Sequence, residues 1–136
     1  MSPRVLIVDD EPALRRTLAR VLESLQYEVL TAGDPHLAYS MLDEADVDLV
    51  LLDVHLPNMS GAMLYLALVR RWPRLRGRVI LMTGDPSVLD DGCPAELLAC
   101  PLLLKPFTLS LLGETLRIAL LDAECPGDQR ASNGPA

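Results

Sequence analysis

Asp9 and Asp10 directly follow the apolar run Arg4-Val5-Leu6-Ile7-Val8, with Glu11 next, and Asp53 directly follows Leu49-Val50-Leu51-Leu52. Thr83 follows Val79-Ile80-Leu81-Met82, and Lys105 follows Leu102-Leu103-Leu104. Any one of these is an ordinary loop opener, since Asp and Thr are common helix N-caps. Four apolar runs ending this way in one chain call for more than that. Carboxylates within a few ångströms of one another repel, and their pKa values rise unless a cation neutralises them. Hard oxygen donors with no His or Cys side chain among them favour Mg²⁺, which keeps several waters and takes one or two carboxylates plus phosphate oxygens. A Lys ammonium and a Thr hydroxyl supply charge compensation and a donor to a phosphoryl group. An Asp carboxylate can itself accept that group as an aspartyl phosphate. The residue types point to a Mg²⁺-dependent site at which an aspartate is phosphorylated.

The runs before these residues read as strands. They are rich in β-branched and aliphatic residues and apolar on consecutive positions, as strands covered on both faces are. Val29-Leu30-Thr31 is a further short strand that ends in nothing comparable. Between the strands the apolar period lengthens. Leu14, Leu18, Val21, Leu22 and Leu25 mark a helix from Pro12 to Leu25, with Pro12 in its first turn. Asp34-Pro35 opens a second, to about Leu42, and a third runs from Ala62 to Trp72 after a loop over 57–61 and stops at Pro73. Pro86, Asp90-Asp91-Gly92 and Pro94 leave room only for a short fourth helix around Ala95 to Ala99. Thr108 caps a last helix from Leu109 to about Ala123, and residues 124–136 form a tail expected to be disordered. Five strands alternating with helices predict an α/β domain: a doubly wound parallel sheet with helices on both faces. In such sheets sites form beyond the carboxyl ends of the strands. That is where Asp9, Asp10, Asp53, Thr83 and Lys105 stand.

Composition sets the outer bounds. With 136 residues, half of them hydrophobic, the chain suits one domain with a single core. A formal charge of −7 argues against a nucleic-acid surface. The cluster of Arg70, Arg71, Arg74, Arg76 and Arg78 beside Trp72 therefore reads as a solvated helix end. Eleven of the 12 basic residues are Arg, and the single Lys is Lys105. Cys93, Cys100 and Cys125 make no C-x-x-C pair, and with His36 and His55 they draw no zinc cluster, as expected of a reducing, cytoplasmic setting. No run is long enough to span a membrane, and Met1-Ser2-Pro3-Arg4 leads into a strand rather than a signal peptide.

Val8-Asp9-Asp10-Glu11, the run from Leu51 through Asp53, His55 and Pro57 to Gly61, Met82-Thr83-Gly84 and Leu104-Lys105-Pro106-Phe107 resemble the receiver domain of bacterial two-component response regulators. The intervals agree too: 43 residues from Asp10 to Asp53, 30 to Thr83 and 22 to Lys105. The likeness covers roughly residues 3 to 123. It implies a flavodoxin-like fold and a phosphoryl group passed from the phosphohistidine of a sensor histidine kinase, or from a phosphotransfer protein, onto Asp53. It further implies Mg²⁺ held by Asp10, by Asp53, by the backbone carbonyl of His55 and, largely through water, by Asp9. Thr83 would donate to a phosphoryl oxygen, Lys105 would pair with it, and the Lys105-Pro106 bond would be cis. Side chains at His55 and Asp85 occupy positions that influence hydrolysis of the aspartyl phosphate in this family.

Two places depart from the family pattern. Leu102 stands where receivers often carry an aromatic switch residue, and the fourth helix is short, as in receivers attached to hybrid histidine kinases. Both lie on the signalling face, not at the phosphorylation site. Apolar residues of the last helix, Leu111, Leu112, Leu116, Ile118, Leu120 and Leu121, cover more than one stripe, which leaves a homodimer or partner contact through the fourth and fifth helices as an expectation. The rivals are a small aspartyl-nucleophile phosphatase and a receiver-like interaction module that is not phosphorylated. Phosphatases of the haloacid-dehalogenase type place the nucleophile after the first strand, with a second Asp two residues on; Asp53 follows the third, and His55 stands two residues on.

Overall fold

In a computed structural model that describes residues 2–56, 59–85, 87 and 95–124, the five apolar runs are five strands: β1 (Arg4–Val8), β2 (Glu28–Ala32), β3 (Leu49–Asp53), β4 (Val79–Thr83) and β5 (Leu102–Leu104). All pairs are parallel, in the order β2-β1-β3-β4-β5. The helices are α1 (Pro12–Ser24), α2 (Pro35–Glu44), α3 (Gly61–Arg71), α4 (Ala95–Leu98) and α5 (Leu109–Glu124).

The uninterrupted apolar character of the strands is explained by the two layers they serve. Alternate side chains point to opposite faces of a sheet. Leu6, Val8, Val50, Leu52, Val79 and Leu81 pack under α2, α3 and α4, against Ala38, Leu42, Leu64, Leu68 and Leu97. Val5, Ile7, Leu49, Leu51, Ile80, Met82 and Leu103 pack under α1 and α5, against Leu18, Leu22, Leu112 and Leu116. In β1, β3 and β4 neither face holds a polar residue in the strand interior.

Several boundaries differ from expectation. The third helix begins at Gly61, not Ala62, because the Ser60 side chain accepts the Met63 N–H and caps it. It ends at Arg71, and Trp72 leads instead into a 3₁₀ turn over Pro73–Leu75 that the sequence did not announce. α1 ends at Ser24, α2 continues to Glu44, and α5 runs to Glu124, one residue past the expected end of the domain. Asp34 and Thr108 cap α2 and α5 as expected, accepting from Leu37 and Leu111 N–H. Pro57, Pro86, Asp90, Asp91, Gly92, Cys93, Pro94, Cys125 and the remainder of the tail lie outside the described residues. Among the described residues no helix is long and apolar enough to cross a membrane.

The start of α3 lies directly on the end of β3. The Gly61 N–H donates to the Val54 carbonyl at 2.8 Å, and a Cβ at Gly61 would meet the Asp53 carbonyl oxygen and the Val54 Cα, each at 2.6 Å. Both obstacles are backbone of the strand that carries Asp53, so neither can yield cheaply. Gly61→Ala is therefore expected to cost about 1–3 kcal/mol of stability in chemical denaturation, as overpacking does. Unchanged stability would show that α3 can slide off the strand end.

Candidate functional site

The crevice of a doubly wound sheet opens where the chain reverses its direction of strand addition. Here that point lies between β1 and β3, and the residues at their ends are Asp9 and Asp53. The sheet ladder runs past the strands into the site. Asp9 N–H donates to the Ala32 carbonyl at 3.1 Å, Val54 N–H to the Met82 carbonyl at 2.9 Å and Lys105 N–H to the Thr83 carbonyl at 2.8 Å. The backbone of each neighbouring site residue is thus fixed by the sheet.

Asp9 and Asp53 are almost wholly buried, at 0% and 4% exposure. Lys105 Nζ lies between them, 2.9 Å from Asp9 Oδ2 and 3.1 Å from Asp53 Oδ2. The second oxygens are also engaged: Asp9 Oδ1 accepts the Glu11 N–H and Asp53 Oδ1 the His55 N–H, each at 2.9 Å. Asp10 is exposed, and no hydrogen bond holds its carboxylate among the described residues. One carboxylate oxygen each of Asp9, Asp10 and Asp53 lie within 4.8 Å of one another. A set of hard oxygen donors at this spacing, two buried and one open to solvent, fits Mg²⁺.

Burial raises the Asp53 pKa above the ordinary carboxylate value; the His55 N–H and Lys105 oppose that rise without cancelling it. For Lys105, burial favours the neutral amine, but hydrogen bonds to Asp9 and Asp53 outweigh it and its pKa lies above the usual lysine value.

Thr83 is fully buried at the end of β4. Its hydroxyl donates to the Asp85 carbonyl at 3.1 Å and accepts the Asp85 N–H at 3.0 Å, so in this state it is turned to its own loop. The Asp85 carboxylate accepts from the Ser87 hydroxyl and N–H, which lower its pKa, with a lesser contribution from His55. The His55 side chain is exposed at the rim. The Lys105-Pro106 bond is cis. Leu102 is part-exposed on β5, while Phe107 packs into the layer under α1 and α5.

Lys105, which the family resemblance pairs with the phosphoryl group on Asp53, bridges Asp53 and Asp9. Also unforeseen is the Arg15 guanidinium, which donates to the Asp9 backbone carbonyl. No motif in the chain marks Arg15, since the contact depends on the entry angle of α1. Of the arginines grouped near Trp72, Arg71 pairs with Asp43, Arg74 with Asp46, Arg76 with Glu96 and Arg78 with Asp48.

A parallel sheet with a lysine-bridged pair of buried carboxylates at its carboxyl edge is the arrangement of a receiver-type signalling domain. The chain belongs to the response regulator receiver domain family, whose model matches residues 5–117. It is 31% identical over 133 residues to the aerobic respiration control protein ArcA of Escherichia coli, covering 90% of this chain and 54% of that protein. It is 36% identical over 114 residues to the sensor histidine kinase RcsC of Salmonella typhimurium, covering 84% of this chain and 12% of that protein. The chain therefore spans about half the length of ArcA and a small part of RcsC. Among solved structures, the chemotaxis protein CheY4 of Vibrio cholerae superposes with a TM-score of 0.80 at 28% identity, over 88% of this chain and all of that one. The response regulator TrrA of Thermotoga maritima, in complex with Mg²⁺ and BeF, does so with a TM-score of 0.76 at 28% identity, over 87% and 99%. The fold is the flavodoxin-like one, and the phosphatase and interaction-module alternatives are not favoured.

Because Asp53 has a raised pKa in the fold, the native state binds more protons than the unfolded chain between the ordinary carboxylate value and the raised one. Stability accordingly falls as pH rises through that window. In Mg²⁺-free buffer at neutral pH, Asp53→Asn should be more stable than wild type by about 1 kcal/mol, since Lys105 keeps Asp9 as its partner. The difference should shrink as pH drops into the window. Denaturant titrations across pH measure it, and a destabilised Asp53→Asn would contradict the assignment.

Proposed function

We propose that the chain takes a phosphoryl group onto Asp53 from the phosphohistidine of a sensor histidine kinase or a phosphotransfer protein, in a cytoplasmic setting. The observation that carries this reading is Lys105 Nζ at 3.1 Å from a buried Asp53 carboxylate that ends β3. An Asp53 oxygen forms the new bond to phosphorus as the phosphorus–nitrogen bond of the donor breaks. The electron pair of that bond returns to the imidazole nitrogen, which takes up a proton. As Asp53 becomes an acyl phosphate, Lys105 keeps its bond to Asp9 and turns its free donor to a phosphoryl oxygen. The Thr83 hydroxyl leaves the Asp85 carbonyl for another phosphoryl oxygen, which ties the state of Asp53 to the loop after β4. Mg²⁺, held by Asp10 and Asp53 with the His55 carbonyl and by Asp9, would supply neutralisation of the phosphoryl oxygens. His55 and Asp85 stand at the rim where water must approach to release inorganic phosphate.

The chain's only catalysis is on itself. Its output passes through the face of α4, β5 and α5, where Leu98, Leu102, Leu104, Leu111 and Ile118 are exposed and a second copy of the chain is the expected contact. Nucleic acid is not a partner of this segment, given its net charge of −7.

Beryllofluoride with Mg²⁺ reproduces an aspartyl phosphate. It should raise the melting temperature of wild type by several degrees through binding linkage and leave Asp53→Asn unmoved. Equal shifts in both proteins would remove Asp53 from the reaction.

A further inference from the structure

Asp10 is the one carboxylate of the site that nothing holds. Its side chain is exposed and makes no hydrogen bond among the described residues, so the direction in which it starts is set by the Asp9–Asp10 peptide. That peptide has already left the sheet, because β1 ends at Val8, and it precedes the first turn of α1. Its carbonyl therefore has neither a ladder nor a helical partner, a position in which a backbone acceptor ordinarily turns to water. Here the half-buried Arg15 reaches back from α1 and donates to it through Nη1. The guanidinium lies over Gly33, just past the end of β2. A Cβ built at Gly33 would stand 2.9 Å from Nη1 and 3.2 Å from Cζ of Arg15. Gly33 does not have a positive φ, so its backbone would accept alanine. What glycine provides there is room.

We infer that Arg15 is a positioning residue for the Mg²⁺ site, fixing the Asp9–Asp10 peptide so that the Asp10 carboxylate faces Asp53, and that Gly33 is the opening through which it does so. This rests on the reading of Asp9, Asp10 and Asp53 as the metal ligands. Positioning and simple charge predict opposite signs. Arg15 is a cation bonded to the backbone of one of the residues that gather a divalent cation, so on Coulombic grounds alone its removal would tighten Mg²⁺ binding. If it acts by holding the peptide, its removal loosens binding, and loss of a group that orients a metal ligand typically costs about tenfold in affinity.

The experiment is a calorimetric titration of Mg²⁺ alone into wild type, Arg15→Ala, Gly33→Ala and the double variant. Each is checked for folding by thermal melting without metal, and the Asp10 amide resonance is recorded in the metal-free proteins. Arg15→Ala and Gly33→Ala should each weaken binding about tenfold and shift the Asp10 amide in the same direction, and the double variant should be no weaker than either single one. Gly33→Ala keeps the whole Arg15 side chain, so it decides the matter should Arg15→Ala not fold. Mg²⁺ affinity in Arg15→Ala equal to or tighter than wild type would overturn the inference and leave the metal reading intact. Additive losses in the double variant would overturn the role of Gly33. Absence of Mg²⁺ binding by wild type would overturn both readings.

Discussion

One ammonium shared by two buried carboxylates is the constraint on which this molecule turns. Asp9 and Asp53 have almost no contact with water, and their charges are tolerable only because Lys105 lies 2.9 and 3.1 Å from them. Loss of Lys105 would be far costlier than the bridge is stabilising, because two buried charges would be left uncompensated, whereas loss of one carboxylate leaves the lysine its other partner. The balance is also incomplete. One cation faces two buried carboxylates and a third at the rim; burial is the main cause of the raised pKa of Asp53, and the charge of Asp9 adds to it. A site left short of positive charge is a site ready to take a divalent cation.

The rest of the fold holds that arrangement still. A parallel sheet brings residues far apart in sequence to one edge, and its ladder extends one residue past β1 and β3 and up to Lys105. The two apolar layers account for the apolar interiors of β1, β3 and β4, whose charged and hydroxyl residues stand at the strand ends. Gly61 then seats α3 directly on the backbone of Asp53 and Val54. Arg-only surfaces elsewhere fit the same logic: the arginines near Trp72 meet their acids at the exposed edges, whereas a flexible point charge is used where a group must come and go.

The strands and the site residues could be read from the chain because both are local signals, an aliphatic run and the residue that ends it. Asp9, Asp53, Thr83 and Lys105 needed only the rule that ligands gather at the carboxyl ends of strands. The partners were harder to foresee. That Lys105 bridges to Asp9, 96 residues away, depends on how far β5 stands from β1, which no spacing encodes. Arg15 and Gly33 meet only because α1 enters at one angle, and the Ser60 cap is an ordinary serine until α3 is in place. The resting bond of the Thr83 hydroxyl to Asp85 is likewise set by the loop after β4, not by residue type.

The central claim is that this lysine-held carboxylate is a phosphoryl acceptor. It is tested most directly by incubating the protein with acetyl phosphate and Mg²⁺ and measuring its intact mass, before and after hydroxylamine. The account predicts one added phosphoryl group on wild type, removed by hydroxylamine as an acyl phosphate must be, and none on Asp53→Asn. A hydroxylamine-stable adduct, or equal labelling of Asp53→Asn, would contradict it.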